Sequence, residues 1–597
     1  MTLTRAIPRM VNALNVLSGT VILDGSANAA TGVSVTGGNL QIGDAANPGA
    51  QLASTLVDVS SAGTLSGHGT INSAVLIDSG GTLAPGGSIG TLTISGSLVF
   101  NSGSFYQIEL SPTQHSQTNV TGAPGTVQIN GGTVVLVPQL GTYGATTFAI
   151  LTSTGALSGT FSPTVVQSGS TTLMNPTLSY DAHDVFLSYG GGVSTLVVPP
   201  NGTANEQGVA NGINGFIIGG GVLPPGFQGL AGLSGNALLN ALDQLSGEAS
   251  TGAERGSFQL MDEFLELMLD PFVDGRVGPL GVGGTAPGFA PEQQPTFPPD
   301  VALAYASVLK APPSAPTFEQ RWTMWGAAFG GANRTRGDPV VLGAHDVSTQ
   351  AFGFAGGLDY RVNPDSVIGV ALAGGGTGWG LSQGLGGGSS DAFQAGIYGR
   401  TRYGPAYVAA AADFGSFWMK TSRTAFAGDR LEASFNAQGF GARIESGYHF
   451  ATPAIGVTPY VALQALAFHS PAYTETDLTG GGFALAYGAR TASDSRSELG
   501  ARFDHLDTLN GMPLTLRGRL AWAHDWVSNP LMPAAFLALP GSSFTVFGAV
   551  PAKDSALTSA GAELRVTPRL SVSAKFDGQL ADGAQTYAGS GTLRYRW

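Results

Sequence analysis

Alternation dominates the second half of the chain. In its last segment Tyr587, Leu593, Tyr595 and Trp597 share one parity, and Ser590, Thr592, Arg594 and Arg596 the other. A strand turns successive side chains to opposite faces, so this segment has one greasy face and one polar face. The same split recurs from Leu514, where Leu514, Leu516, Leu520, Trp522 and Trp526 oppose Thr515, Arg517, Arg519 and Asp525. It recurs again from Arg569, where Leu570, Val572, Ala574 and Phe576 oppose Ser571, Ser573, Lys575 and Asp577. Twelve such segments start near 322, 349, 366, 391, 405, 432, 457, 494, 513, 557, 569 and 586.

The gaps between them alternate as well. Short turns stand at 362–365, 403–405, 451–453, 510–513 and 567–569, with longer loops between them, the largest near 470–493 and 528–556. Short turns on one rim, long loops on the other and aromatic residues near strand ends predict a twelve-stranded antiparallel transmembrane β-barrel over 321–597. A soluble β-sandwich is the alternative. In a barrel, charge on the lipid face costs a few kcal/mol per residue near mid-bilayer. Arg517, Arg519, Arg565, Lys575, Arg594 and Arg596 therefore form a lumen-facing basic wall.

The first 190 or so residues carry a looser repeat. Gly-Thr followed by an apolar residue recurs at Gly19, Gly63, Gly69, Gly81, Gly90, Gly125 and Gly132, each time opening a short alternating run. Short strands, glycine-marked turns and an irregular period predict a parallel β-helix, with an ordinary sandwich as the alternative. A connector rich in Gly, Pro and Asn follows over 190–235. Leu238, Leu239, Leu242 and Leu245 then give helical spacing over 236–246. A second helix is expected from Ser257, as its cap, to Asp270, where Pro271 ends it. Met261, Phe264, Leu265 and Met268 make its apolar face; Asp262, Glu263, Glu266 and Asp270 make it acidic. Residues 276–320 are a Pro- and Gly-rich linker.

Composition narrows the function classes. No run of about 18 apolar residues exists to cross a membrane as a helix, although the mean hydropathy is positive, at +0.15. The chain has no cysteine, which excludes disulfides and thiolate metal sites. The net charge is −13, and no Lys or Arg occurs between Arg9 and Arg255. Nucleic-acid binding by that half is excluded, because counterion release needs cations. Residues 1–17 carry two Arg but lack the continuous apolar core of a secretory leader, so the true start is expected upstream of Met1.

Several stretches resemble the monomeric (type Va) autotransporter family. Residues 21–28 through 38–43 resemble the autotransporter-associated β-strand repeat, and 81–94, 106–110 and 175–187 resemble the last coils of passengers. Residues 203–210 and 241–248 are similar to the family's passenger–translocator junction; 544–555 and 562–568 are similar to its late barrel motif. The resemblance implies a partial right-handed parallel β-helix (1–195), a junction with a pore-spanning α-helix (196–275), a linker (276–320) and the barrel (321–597). It implies that Leu593, Tyr595 and Trp597 form the signal read by the barrel assembly machinery, although Trp replaces the usual Phe and Thr592 the usual Gly. It implies an outer-membrane location in a Gram-negative bacterium, a passenger at the cell surface, and periplasmic chaperones and outer-membrane lipid as partners. It also implies a monomer, with a host or cell-surface ligand for the passenger.

Candidate chemistry is sparse. Gly86-Gly-Ser88-Ile-Gly90 fits the G-x-S-x-G nucleophile pattern by letter, but lies between strands rather than at a strand-to-helix turn. His68, His115 and His183 are far apart in sequence and show no metal-ligand spacing. Gly374–Gly380 lacks the Lys of a phosphate loop. The expectation is therefore a display device with an adhesive or structural passenger, no enzyme activity, no metal and no cofactor. The alternatives are a translocator for an enzymatic module missing from this sequence, and a simple outer-membrane pore.

Overall fold

The computed structural model describes residues 2–3, 10–29, 31–168, 171–270, 321–452 and 455–597. The 276–320 linker and Pro453 lie outside the described residues. Two units separate, one built mainly of residues 1–202 and 209–241, the other of 203–208 and most of 242–597.

The second unit holds the barrel. Its strands are β1 (Trp322–Thr335), β2 (Val347–Asn363), β3 (Ser366–Leu381), β4 (Gly387–Tyr403), β5 (Ala406–Thr424) and β6 (Arg430–Tyr448). They continue as β7 (Gly456–Ser470), β8 (Arg490–Leu509), β9 (Met512–Val527), β10 (Asp554–Arg565), β11 (Leu570–Ala581) and β12 (Ala584–Arg596). Each pairs antiparallel with the next, and β12 returns to β1 with Tyr595 opposite Met324, so no edge is left open. The largest departures from the expected starts are at Gly387 and Arg490, where Gly-Gly-Ser-Ser and Arg-Thr-Ala-Ser join the ladder although they carry no clear apolar alternation.

Large apolar side chains face outward over the middle of the wall: Phe354 on β2, Leu372 on β3, Ile397 on β4, Ile444 on β6 and Leu520 on β9 are all more than half or half exposed. The polarity then reverses at the loop-bearing end of β5 and β6. There Lys420, Ser422, Glu432 and Ser434 point out, while Phe417, Met419, Leu431 and Phe435 are buried. These strands run on past the greasy band and keep their apolar side chains inside. The loops 471–489 and 528–553 add a four-stranded antiparallel sheet, Tyr473–Thr474, Leu485–Tyr487, Leu531–Phe536 and Ser543–Phe547.

The first unit is a stack of parallel coils. Leu40, Leu65, Leu83, Tyr106 and Val134 are register partners in successive strands and are fully buried. The Gly-Thr repeat has a steric origin. A Cβ at Gly63 would lie 2.1 Å from the Val35 carbonyl oxygen, and one at Gly81 2.2 Å from that of Val59. Each coil therefore passes so close under its neighbour that only glycine fits. The parallel ladder stops where Thr146–Ser153 pairs antiparallel with Asp184–Tyr189.

Candidate functional site

The lumen is occupied by a helix. A 3₁₀ turn, Glu248–Thr251, leads into an α-helix, Gly252–Leu269. At about 1.5 Å per residue this α-helix is roughly 27 Å long, close to the thickness of a bilayer's hydrocarbon core. It begins before the expected cap. Ser257 is buried inside the helix and donates its hydroxyl to the Ala253 carbonyl at 2.9 Å. The sequence signal was masked by Gly252 and Gly256, poor helix formers that are needed where the helix passes Trp379 and Thr377 of β3. A junction helix, Ala204–Ile218, also escaped the sequence reading, because its Gly and Asn content resembles a connector.

The apolar face fits against glycines of the wall. A Cβ at Gly396 would fall 2.4 Å from Met268 Sδ, one at Gly439 2.6 Å from Met261 Sδ, and one at Gly441 3.0 Å from Leu265. The opposite face is charged and paired. Glu266 accepts from Arg519 at 2.9 Å and from Lys575 at 3.2 Å. Asp262 accepts from Gln464 at 2.8 Å and lies 3.6 Å from Arg496. Glu263 accepts from Gln259 on its own helix at 3.0 Å. Asp270 ends the helix beside a small cavity that Lys575, Arg443 and Arg502 also line. Glu254, in the first turn of the helix, pairs with Arg490 at 2.7 Å.

Of the expected basic wall, Arg519 and Lys575 meet the helix acids. Arg517 pairs with Glu563 at 3.2 Å and Arg594 lies 3.7 Å from Asp359. Arg565 is exposed at the end of β10 and Arg596 half-buried near that of β12. A second cluster was missed. Arg443 binds Glu498 at 2.6 Å and Glu445 at 3.3 Å; Arg502 and the Tyr407 hydroxyl also bind Glu445, and Tyr460 donates to Glu498 at 3.1 Å. The signal was present as charged residues on the inward parity of β6 and β8, alternating with Ile444 and Leu499. Two cavities of about 60 and 80 Å³ follow the helix's charged side, between Asp262, Arg496, Gln579 and Thr586. Each exceeds the roughly 30 Å³ share of a water molecule.

The loop-bearing rim closes over the start of the helix. Trp379 Nε1 donates to the Ala249 carbonyl at 2.8 Å. Arg423 binds Glu475 at 2.7 Å and the Gln244 carbonyl at 2.7 Å. Glu248 takes both the backbone N–H of His345, at 2.7 Å, and its Nδ1, at 2.8 Å. That bond raises the His345 pKa above its ordinary value, against the effect of burial. Burial, then Glu206 and Glu248, pushes Asp243 up to about 7.

At the far end of the chain, Leu593, Tyr595 and Trp597 are exposed on the outer face of β12, with the Tyr595 and Trp597 rings 6.1 Å apart. Ser88 stands exposed on its turn. His68, one coil earlier, places Nε2 3.3 Å from the Ile89 carbonyl, and no hydrogen bond joins it to the Ser88 hydroxyl. His115 stacks on Phe148 at 3.9 Å, and His183 Nδ1 bonds to the Gly155 carbonyl at 2.9 Å. Gly374–Gly380 is part of β3, not a loop.

Residues 324–577 match the family model described as autotransporter β-domain. An extracellular serine protease of Serratia marcescens is 24% identical over 581 residues, covering 91% of this chain and 52% of that protein. A second extracellular serine protease of Serratia marcescens is 25% identical over 280 residues, covering 46% of this chain and 25% of that protein. The chain thus spans about half the length of the first relative. Among solved structures, the translocator domain of the autotransporter NalP from Neisseria meningitidis is 13% identical, with a TM-score of 0.39, covering 50% of this chain and 98% of that one. The serine-protease relatives correct the expectation that this chain is no enzyme. That expectation rested on local motifs and on the sequence spacing of three histidines, and neither test reaches the half of the first relative that this chain does not span.

Proposed function

Taking the chain as a member of the autotransporter family, its β-domain at 324–577, we propose that it exports its own N-terminal β-helix to the cell surface and that this passenger belongs to a serine-protease class. One observation carries the export reading. The barrel's two ends meet on one rim, where the Trp597 N–H donates to the Trp322 carbonyl at 3.3 Å, while the helix runs through the lumen to the other rim. Residues 1–195 are then the passenger, 196–275 the junction and pore helix, 276–320 the linker and 321–597 the translocator.

The outward Leu593, Tyr595 and Trp597 serve as the signal for the assembly machinery, which receives the chain from periplasmic chaperones. The passenger crosses unfolded through or beside the lumen and its coils stack outside, each new coil burying the apolar edge of the last. Once passage is complete, Glu266 docks on Arg519 and Lys575 and holds the helix in the lumen. The protease class rests on the relatives' names and on the match across 91% of this chain.

Intact cells shaved with protease and probed with an antibody against residues 60–190 should lose the signal while the barrel stays protected. Survival of the signal until the outer membrane is permeabilised would refute export. On the same cells a fluorophosphonate probe should label the exported passenger; an unlabelled passenger would leave export standing and remove the protease class. Replacing Asp262, Glu263, Glu266 and Asp270 together by Gln should raise single-channel conductance of the purified barrel in planar bilayers. An unchanged conductance would mean that these acids do not seat the helix.

A further inference from the structure

The chain does not simply leave the barrel. Upstream of the helix Gly235–Ser246 and of the pore helix, the segment 203–208 is already bound to the rim. Thr203 caps the junction helix, and Glu206 three residues later accepts from the Thr203 N–H and hydroxyl, a capping box. The first free N–H groups of that helix are taken by the loop between β1 and β2. Ala204 N–H donates to the Val341 carbonyl at 3.0 Å, and Asn205 N–H to that of Leu342 at 3.0 Å.

Asn205 adds a side-chain clamp. Its amide donates to the Phe547 carbonyl at 2.9 Å and to the Gly343 carbonyl at 3.1 Å, and its oxygen accepts the Phe547 N–H at 2.7 Å. It is 1% exposed. Asn205 therefore satisfies both backbone groups of Phe547, the last residue of the rim's four-stranded sheet, as a paired strand would. The receiving loop is stiff: Asp338 takes the N–H groups of Val340, Val341, Gly343 and Ala344. Gly343 sits with φ +76°, and a Cβ there would lie 2.2 Å from Thr203 Oγ1. Nothing in barrel closure or in holding the pore helix requires these bonds.

We propose that the rim is a docking site for the chain's own segment Thr203–Gly208, with Asn205 as its anchor, so that a passenger severed anywhere between 209 and 241 stays on the barrel without a covalent link. The proposal rests on export for its biological meaning, but its geometry lies wholly in the barrel unit. Severing the connection therefore does not release the passenger, and release requires a cut upstream of Thr203 or the opening of this contact.

The test is a full-length chain with a specific protease site inserted directly after Gly220, where a Cβ would meet nothing within 4 Å. The protein is purified in detergent through a tag at the insertion-free barrel loop 382–386, cut, and pulled down by that tag. The 1–220 fragment should remain with the barrel. Asn205→Leu should release at least ten times more fragment. Ala204→Pro, which removes one docking N–H at the first helical position where proline is tolerated, should release an intermediate amount. Both variants must show the folded barrel's gel mobility before cutting. Release of the unsubstituted fragment, or equal retention in all three proteins, would overturn the proposal. The same proteins on cells report separately on export: loss of surface signal before cutting counts against export and leaves the docking result intact.

Discussion

Replacing Arg443 with Met should destabilise the barrel by about 3–5 kcal/mol, the usual cost of removing one partner from a buried ion pair. Arg443 is 3% exposed and gives both terminal nitrogens to Glu498, a third bond to Glu445 and a fourth to Gln464 at 3.1 Å. Without it Glu498 keeps the Tyr460 hydroxyl as its hydrogen-bond partner and the more distant charge of Arg519, while Glu445 keeps Arg502 and Tyr407. The loss should appear as a lower urea midpoint for the shift between folded and unfolded gel mobility. Adding Glu498→Leu should recover most of it, because an apolar pair of similar volume carries no desolvated charge. A single variant within 1 kcal/mol of the parent would mean that water reaches this end of the lumen freely.

Tyr106→Ala should cost the β-helix about 3–5 kcal/mol, the range for emptying a large aromatic from a packed core. Tyr106 is fully buried, and its ring lies 5.3 Å from Phe100 and 5.7 Å from Phe161, which are themselves 4.9 Å apart. Its hydroxyl donates to the Ile150 carbonyl, 44 residues and less than two coils further along the chain, so the substitution also orphans a buried acceptor. Because each coil leans only on its neighbours, the damage should be local. Limited proteolysis should open residues 100–160 first, while the barrel keeps its heat-dependent gel mobility. Uniform loss of both units would show that the passenger and barrel do not fold independently.

Strand-level structure was legible because a barrel wall has a period of two and only two solvents. Lipid demands one parity outright, so Leu520, Trp522 and Trp526 could be assigned without any structure. The coils were legible through steric necessity, since the close approach of Val35 to Gly63 admits no side chain. What stayed hidden depends on pairings across long sequence distances. Nothing in the sequence around Arg443 points to Glu498, because register alone brings β6 and β8 to either side of β7. The start of the pore helix was hidden for a related reason. Gly252 and Gly256 argue against a helix locally, and only the bulk of Trp379 and Thr377 on the facing strand makes them necessary. The role of Asn205 was invisible too, since its partner Phe547 is 342 residues away.

The change of polarity along β5 and β6 fixes where the wall stands in its membrane. Trp322, Tyr403, Tyr448 and Trp597 ring one edge of the greasy band, and Trp418, Trp522 and Trp526 the other. Lys420 and Glu432, just beyond Trp418, are exposed and belong in water or among headgroups. The barrel is thereby held at one depth, with its loop-bearing rim raised clear of the lipid like a chimney above a roof. On the proposed export route, a segment leaving through that rim would meet solvent on every side. Exposed apolar residues of a half-folded coil, such as Leu83 or Ile94 before they are covered, have no lateral path into the bilayer. Their only route out of water is onto the preceding coil.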